Sequence, residues 1–161
     1  MIAKKNMSVM FICTGNICRS PTAEGVFRRL VRDAGLDGTI RVDSAATNGY
    51  HVGEPPDERA QRQAMRRGYD LSALRARRIA PRDFAEFDLI LAMDRSHLRI
   101  LQRLCPRENR HKLRLIMEFA PEQGTDEVPD PYYGDADQFE QVLDLLEAAA
   151  RGLLRTVSAV A

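Results

Sequence analysis

Cys13 and Arg19 bracket the segment Cys-Thr-Gly-Asn-Ile-Cys-Arg, a Cys-x5-Arg spacing that puts a nucleophile and an anion clamp on one short loop. The apolar run Val9-Met10-Phe11-Ile12 precedes this segment, and Ser20-Pro21 follow it. A buried strand that turns through small residues into a helix aims several backbone N–H groups at one point, and the helix N-terminus adds partial positive charge there. A phosphate dianion fits such a cradle, whose wall is Thr14, Gly15, Asn16, Ile17, Cys18 and Ser20. Arg19 offers a planar, permanently charged fork to two phosphate oxygens. The same positive surroundings favour thiolate over thiol at Cys13, which makes it a standing nucleophile. Ser20 suits the N-cap and Pro21 the first helical position, so the helix is expected over Pro21–Ala34. An ordinary buried cysteine at a strand end is the rival reading, and it leaves Gly15, Asn16, Arg19, Ser20 and Pro21 without a purpose.

Attack on phosphorus also needs a protonated leaving group. The connection from about Ala120 to Ala136 carries Pro121, Gly124, Pro129, Pro131 and Gly134, and a loop of that length in a compact domain is usually functional. Asp130 lies in it, and the ring of Pro131 biases Asp130 toward an extended backbone. Asp130 is the candidate general acid, and partial burial beside aromatic rings would help it keep a proton near neutral pH. The competing role is a turn-forming Asp before Pro.

The elements that must position these groups are legible as an alternation. Apolar runs at Ser8–Cys13, Ile40–Ser44, Leu89–Met93 and Leu113–Met117 read as buried strands separated by helix-length segments. That pattern predicts an α/β fold with a parallel sheet. Helices are expected at Pro21–Ala34, Asp57–Arg67, Asp94–Leu104 and Asp137 to about Ala159, with a short extra turn at Pro81-Arg82-Asp83-Phe84. Ligands of such sheets bind beyond the carboxyl ends of the strands, where the Cys13–Ser20 loop emerges.

With 161 residues, 44% of them apolar, the chain supports one core, expected over residues 8–161 behind a disordered tail at residues 1–7. A net charge of +1 argues against nucleic acid as a partner, and no stretch approaches the roughly 20 apolar residues of a membrane span. Signal-peptide cleavage would remove the motif, and three cysteines do not make a secreted disulfide framework, so a cytoplasmic protein is expected. His51, His97 and His111 have no metal-ligand spacing and read as surface residues, so no metal is expected. Cys105, just before Pro106, reads as structural. The arginines at 59, 62, 66, 67, 75, 77, 78 and 82 make the middle of the chain basic, either a solvated face or a surface for acidic segments.

At its loop the chain resembles the low-molecular-weight protein tyrosine phosphatases. The resemblance runs through Cys-Thr-Gly-Asn-Ile-Cys-Arg-Ser-Pro-Thr-Ala-Glu at 13–24, Asp43–Thr47 with Gly49-Tyr50, Pro55-Pro56-Asp57, Asp88–Asp94 and Asp130-Pro131-Tyr132-Tyr133-Gly134. It implies a single-domain flavodoxin-like fold with a four-stranded parallel sheet in the order 2-1-3-4 and helices on both faces. It also implies hydrolysis of aryl phosphates through a phosphocysteine on Cys13, without metal or cofactor. Tyr50, Tyr132 and Tyr133, with His51 beside them, would form the substrate cleft, although Tyr133 could equally pack in the core. Ile17 points to phosphotyrosine, because the related protein-arginine phosphatases carry Thr there. Asn16, Ser20 and Ser44 match positions that shape the loop, and Ser20 one that stabilises the leaving thiolate. Leu74 departs from the pattern, which has His at or next to that place, so one supporting hydrogen bond is expected to be missing or replaced and catalysis slower or less rigid, not absent. Cys18 is close enough to Cys13 in the loop for a reversible disulfide, or else is a small apolar filler.

The resemblance implies phosphotyrosine-containing proteins as partners, a tyrosine autokinase among the candidates, with inorganic phosphate as product and inhibitor and the protein a monomer. A thiol-dependent arsenate reductase shares the cradle but needs two further cysteines around positions 80–95, and this chain has none there. A non-catalytic phosphotyrosine-binding module should have lost Cys13, Arg19 or Asp130, and all three remain.

Overall fold

The computed structural model describes residues 6–159. The uninterrupted apolar run at Met7–Cys13 forms β1, and every residue of it is buried. A strand covered on both faces needs such a run, and β1 is one of the two inner strands of a parallel sheet. It pairs on one side with β2 (Ile40–Ala46) and on the other with β3 (Leu89–Ala92), which pairs with the short β4 (Leu113–Leu115). The strand order is therefore β2-β1-β3-β4, all parallel, as the resemblance implied. Neighbours of β1 are reached by crossovers in opposite directions along the sheet, which opens a crevice at its carboxyl end. Cys13 sits there, opposite Ala46, while Ile12 is opposite Ala92.

Alternation along β1 divides the core. Val9, Phe11 and Cys13 face one layer with Phe27, Val142 and Leu146 from α1 (Arg19–Asp33) and α5 (Ala136–Ser158). Met10 and Ile12 face the other, with Ile79, Phe84 and Leu101. The rings of Phe11 and Phe27 meet edge-on with centroids 5.8 Å apart. Truncating such a buried ring to Ala typically costs about 3–5 kcal/mol. Gly152 brings α5 against the residues leading into the long connection, since a Cβ there would lie 1.8 Å from the Phe119 carbonyl oxygen. The remaining helices are α2 (Glu58–Arg66), α3 (Asp83–Glu86, the expected extra turn) and α4 (Arg95–Leu104).

Several boundaries differ from the sequence reading. Helix α1 begins at Arg19 instead of Pro21, and Ser20 is not its N-cap: Cys18 holds that position and no side chain caps the helix. The first amides of α1 are thus not taken by a cap, which suits an end that receives an anion. Asp57, Asp94 and Asp135 cap α2, α4 and α5 by accepting from Arg59, His97 and Gln138 N–H groups, so each lies just outside its helix. Met7 belongs to β1, paired with Ile40, so the expected tail is too long by at least this residue. Residues 1–5 of that tail lie outside the described residues. β2 extends to Ala46, and β4 stops at Leu115 because 116–119 turn into a 3-10 helix. Among the described residues no helix is long and apolar enough to cross a membrane.

Candidate active site

The loop is shaped by Asn16, whose φ of 58° lies in the left-handed region that Asn tolerates better than most residues. Its buried amide fixes that strained turn. Nδ2 donates to Ser20 Oγ at 2.8 Å and to Ser44 Oγ at 2.9 Å, and Oδ1 accepts from the Arg77 N–H at 3.1 Å. Ser44 Oγ in turn donates to Glu24 Oε1 at 2.6 Å, and Arg28 Nε donates to Glu24 Oε2 at 2.8 Å. A continuous chain therefore runs from Arg28 at the surface through Glu24, Ser44, Asn16 and Ser20 to the Cys13 sulfur. Burial pushes the Glu24 carboxyl upward, against the hydrogen bonds from Ser44 and Arg28. Leu74, at the place where the family pattern has His, is half-buried against the core, and the backbone N–H of Arg77 in the same segment donates to Asn16 Oδ1. A Cβ on Gly15 would stand 2.8 Å from the His51 ring, so any larger residue there would push that half-exposed ring aside.

Cys13 is 3% exposed. Ser20 faces its sulfur twice, with Oγ at 2.9 Å and the backbone N–H at 3.4 Å. Arg19, also 3% exposed, donates from Nη1 to Asp94 Oδ2 at 2.8 Å and to the Val128 carbonyl at 2.9 Å. Burial would raise the Asp94 carboxyl, yet hydrogen bonds from Ser96 and Arg19 hold it down at about 2. Its charge anchors the guanidinium behind the loop.

A cavity of about 260 Å³ opens above Cys13 and Arg19. Tyr50, His51, Asp130, Tyr132 and Tyr133 line it. Asp130 Oδ2 lies 3.7 Å from Arg19 Nη2, and Oδ1 accepts the Tyr132 N–H at 3.1 Å. The Asp130 side chain is 51% exposed, so the expected partial burial is not found. Tyr133 and Tyr50 are 95% and 86% exposed, which excludes core packing for either ring. Tyr132 packs edge-on against Tyr133 with centroids 4.9 Å apart, and the Arg59 guanidinium lies 5.5 Å from the Tyr132 centroid and 4.9 Å from that of Phe139. Asp57 holds Arg59 in this place through Nε and Nη2.

Cys18 is buried with Ala60 and Phe139 beside Ile17. Burial, with the charges of Asp57 and Cys13, pushes its thiol up to about 12. Cys105 is buried in the other core layer, with Sγ 3.4 Å from the Pro106 carbonyl. Three of the eight arginines in the basic middle of the chain form ion pairs within the fold: Arg59 with Asp57, Arg67 with Glu140, Asp144 and Glu147, and Arg77 with Asp43 and Asp83.

His97 corrects the sequence reading. It is 1% exposed, not a surface histidine, and its Nε2 lies 2.8 Å from Thr14 Oγ1 and 3.4 Å from Arg19 Nη2. Burial first, then the Arg19 charge, push it down to about 4. Asp94 and Glu24 lie within the motifs that carry the resemblance, and their partners Arg19 and Ser44 emerge only in the fold. The usable signal was Asp94-x-x-His97, an N-cap spacing directly after a strand that ends beside the loop. His51 is half-buried with Nδ1 2.5 Å from Glu54 Oε2, whereas His111 is exposed as expected.

A cysteine-headed phosphate loop at the carboxyl edge of a parallel sheet, backed by a buried arginine and faced by an aspartate, defines a class of thiol-dependent phosphatases. The family model described as "Low molecular weight phosphotyrosine protein phosphatase" matches residues 8–160. The chain is 47% identical over 152 residues to a low molecular weight protein-tyrosine-phosphatase of Streptomyces coelicolor, covering 92% of each chain. It is 44% identical over 156 residues to the low molecular weight phosphotyrosine protein phosphatase of Homo sapiens, covering 96% of this chain and 98% of the human one. A crystal structure of a protein tyrosine phosphatase from Entamoeba histolytica with Hepes in the active site superposes with a TM-score of 0.93 at 36% identity, over 96% of this chain and 98% of that one. The chain belongs to the low molecular weight phosphotyrosine protein phosphatases and is a protein-tyrosine phosphatase, a phosphoric monoester hydrolase.

Proposed function

We propose that Cys13 is the nucleophile, Arg19 and the loop N–H groups the phosphate clamp, and Asp130 the proton donor and acceptor. The observation that carries this reading is the double approach of Ser20 to the Cys13 sulfur, with Arg19 beneath the same loop and Asp130 across the cavity. The Cys13 sulfur attacks phosphorus in line as the bond to the phenolic oxygen breaks, and Asp130 gives that oxygen its proton. Water then attacks the phosphocysteine, Asp130 takes the water's proton, and the sulfur leaves as thiolate while accepting from Ser20. Inorganic phosphate is released.

The rim rings of Tyr50, Tyr132 and Tyr133 favour a phenyl phosphate, whose length reaches the sulfur from the rim, over phosphoserine. Substrates are phosphotyrosine-bearing proteins, with a tyrosine autokinase as one candidate, and phosphate competes as product. We read the chain from Met7 onward as one catalytic domain, active as a cytoplasmic monomer. The charge the transition state requires is met by Arg19, the loop amides and Asp130, so chelators should leave turnover of p-nitrophenyl phosphate unchanged. Loss of turnover on chelation, or full activity in Cys13→Ser, would overturn the mechanism. A pull-down with Cys13→Ser from native cells identifies the substrate.

A further inference from the structure

His97 is wholly buried behind the phosphate loop, and nothing in the reaction steps above uses it. Its Nε2 faces two groups, Thr14 Oγ1 at 2.8 Å and Arg19 Nη2 at 3.4 Å. A guanidinium only donates, so Nε2 is the lone-pair nitrogen and the ring proton sits on Nδ1. Nδ1 lies 3.1 Å from Asp94 Oδ1 but without hydrogen-bond alignment, and it has no other partner. Asp94 Oδ1 is already engaged by the Ser96 hydroxyl at 2.5 Å and the His97 N–H at 3.1 Å. The ring is therefore held chiefly through Nε2, on the face that meets the loop.

We propose that His97 is a positioning residue for the phosphate cradle: the lone pair at its neutral Nε2 holds the Thr14 hydroxyl and steadies the Arg19 guanidinium before substrate arrives. This rests on the phosphatase reading of the loop. Arg19 then has three fixed neighbours, the Asp94 carboxylate, the Val128 carbonyl and the imidazole, which set its orientation in advance. Protonation of the ring would set an N–H against the guanidinium and force the Thr14 hydroxyl to reverse. The charged groups facing the ring are Arg19 from α1, Asp94 at the cap of its own helix, and Glu127 and Asp130 from the connection before α5. Burial and Arg19 prevail over these three carboxylates and keep the ring neutral until about pH 4.

The test combines ring 15N NMR of the intact protein, with His97 assigned by its loss in His97→Gln, and calorimetry of inorganic phosphate binding. The expected spectrum shows the Nδ1–H tautomer at pH 7 and titration near 4. His97→Leu is expected to weaken phosphate binding and to lower kcat/KM for p-nitrophenyl phosphate by roughly tenfold each, as loss of one buried hydrogen bond implies. His97→Gln, which puts an acceptor oxygen near the Nε2 position, should recover most of both. Thr14→Val should reproduce the loss, and the double variant Thr14→Val, His97→Leu should be no worse than the weaker single one. An Nε2–H tautomer at pH 7, ring titration near the ordinary 6.5, or phosphate binding unchanged in folded His97→Leu would each overturn the proposal. Turnover surviving in Cys13→Ser would fail the phosphatase mechanism instead, while the tautomer and phosphate binding still report on His97.

Discussion

The Ser20 hydroxyl sits 2.9 Å from the Cys13 sulfur and is itself held at 2.8 Å by the Asn16 amide. Asn16 donates to the Ser20 oxygen, which leaves the hydroxyl proton free to point at the sulfur. That places a donor where charge returns to sulfur when the phosphocysteine breaks down.

Ser20→Ala should therefore slow the second half-reaction more than the first. A hydrogen bond to a charged group is worth about 1.5–3 kcal/mol, or roughly 10- to 100-fold in hydrolysis of the intermediate. Rapid-quench measurement should show a larger burst of phenol followed by slower steady turnover. Equal slowing of both steps would mean that the hydroxyl only shapes the loop.

Asp130→Asn should lower kcat for phosphotyrosine by about 10² to 10⁴ with little change in binding, because the carboxyl acts when the leaving oxygen gains charge. The loss in the first step should shrink for phenols of increasing acidity. Pre-steady-state phenol release across a series of aryl phosphates checks this, and a uniform loss would assign Asp130 to holding the connection through its bond to the Tyr132 N–H.

Peroxide should oxidise Cys13 before Cys18, whose burial keeps it a thiol up to about pH 12. The Cys13 sulfenic acid then condenses with the Cys18 thiol, releasing water and forming a disulfide that dithiothreitol reverses. In Cys18→Ser the inactivation should become largely irreversible. Peptide mapping that finds no 13–18 cross-link in the oxidised protein would leave Cys18 as packing for Ala60 and Phe139.

Acid should destabilise the fold in two stages. His97 is held at about 4 against an ordinary 6.5, so the unfolded chain gains a proton first, and stability present above pH 6.5 is lost as pH falls to about 4. That loss is on the order of 3 kcal/mol. Asp94, held at about 2 against 3.8, contributes stability present above 3.8 that disappears as pH falls to about 2, again on the order of 2 kcal/mol. Urea unfolding at pH 7 and pH 4.5 should show the first loss in the wild type and a much flatter response in His97→Gln. Parallel curves for the two proteins would mean that the ring charges as readily in the fold as outside it.

The loop from Cys13 to Ser20 was legible from its residues alone, because the candidate nucleophile, the candidate clamp and the turn between them are contiguous and their geometry is local. The alternation of apolar runs with helical segments was enough to predict the parallel sheet, since burial on both faces leaves that pattern in the residues themselves. Which residues stand behind the loop follows instead from strand order. β3 pairs with β1 so that Ala92 lies opposite Ile12, and the chain that leaves β3 brings Asp94 and His97 to Arg19 across 75 and 78 residues. The join of Ser44 to Glu24 follows likewise from β2 lying on the other side of β1. Helix ends shifted for the same reason: Ser20 has the residue type of a cap, but the sulfur and Asn16 claim its hydroxyl. Residue type states what a side chain can bond, whereas strand order and packing decide which partner it meets.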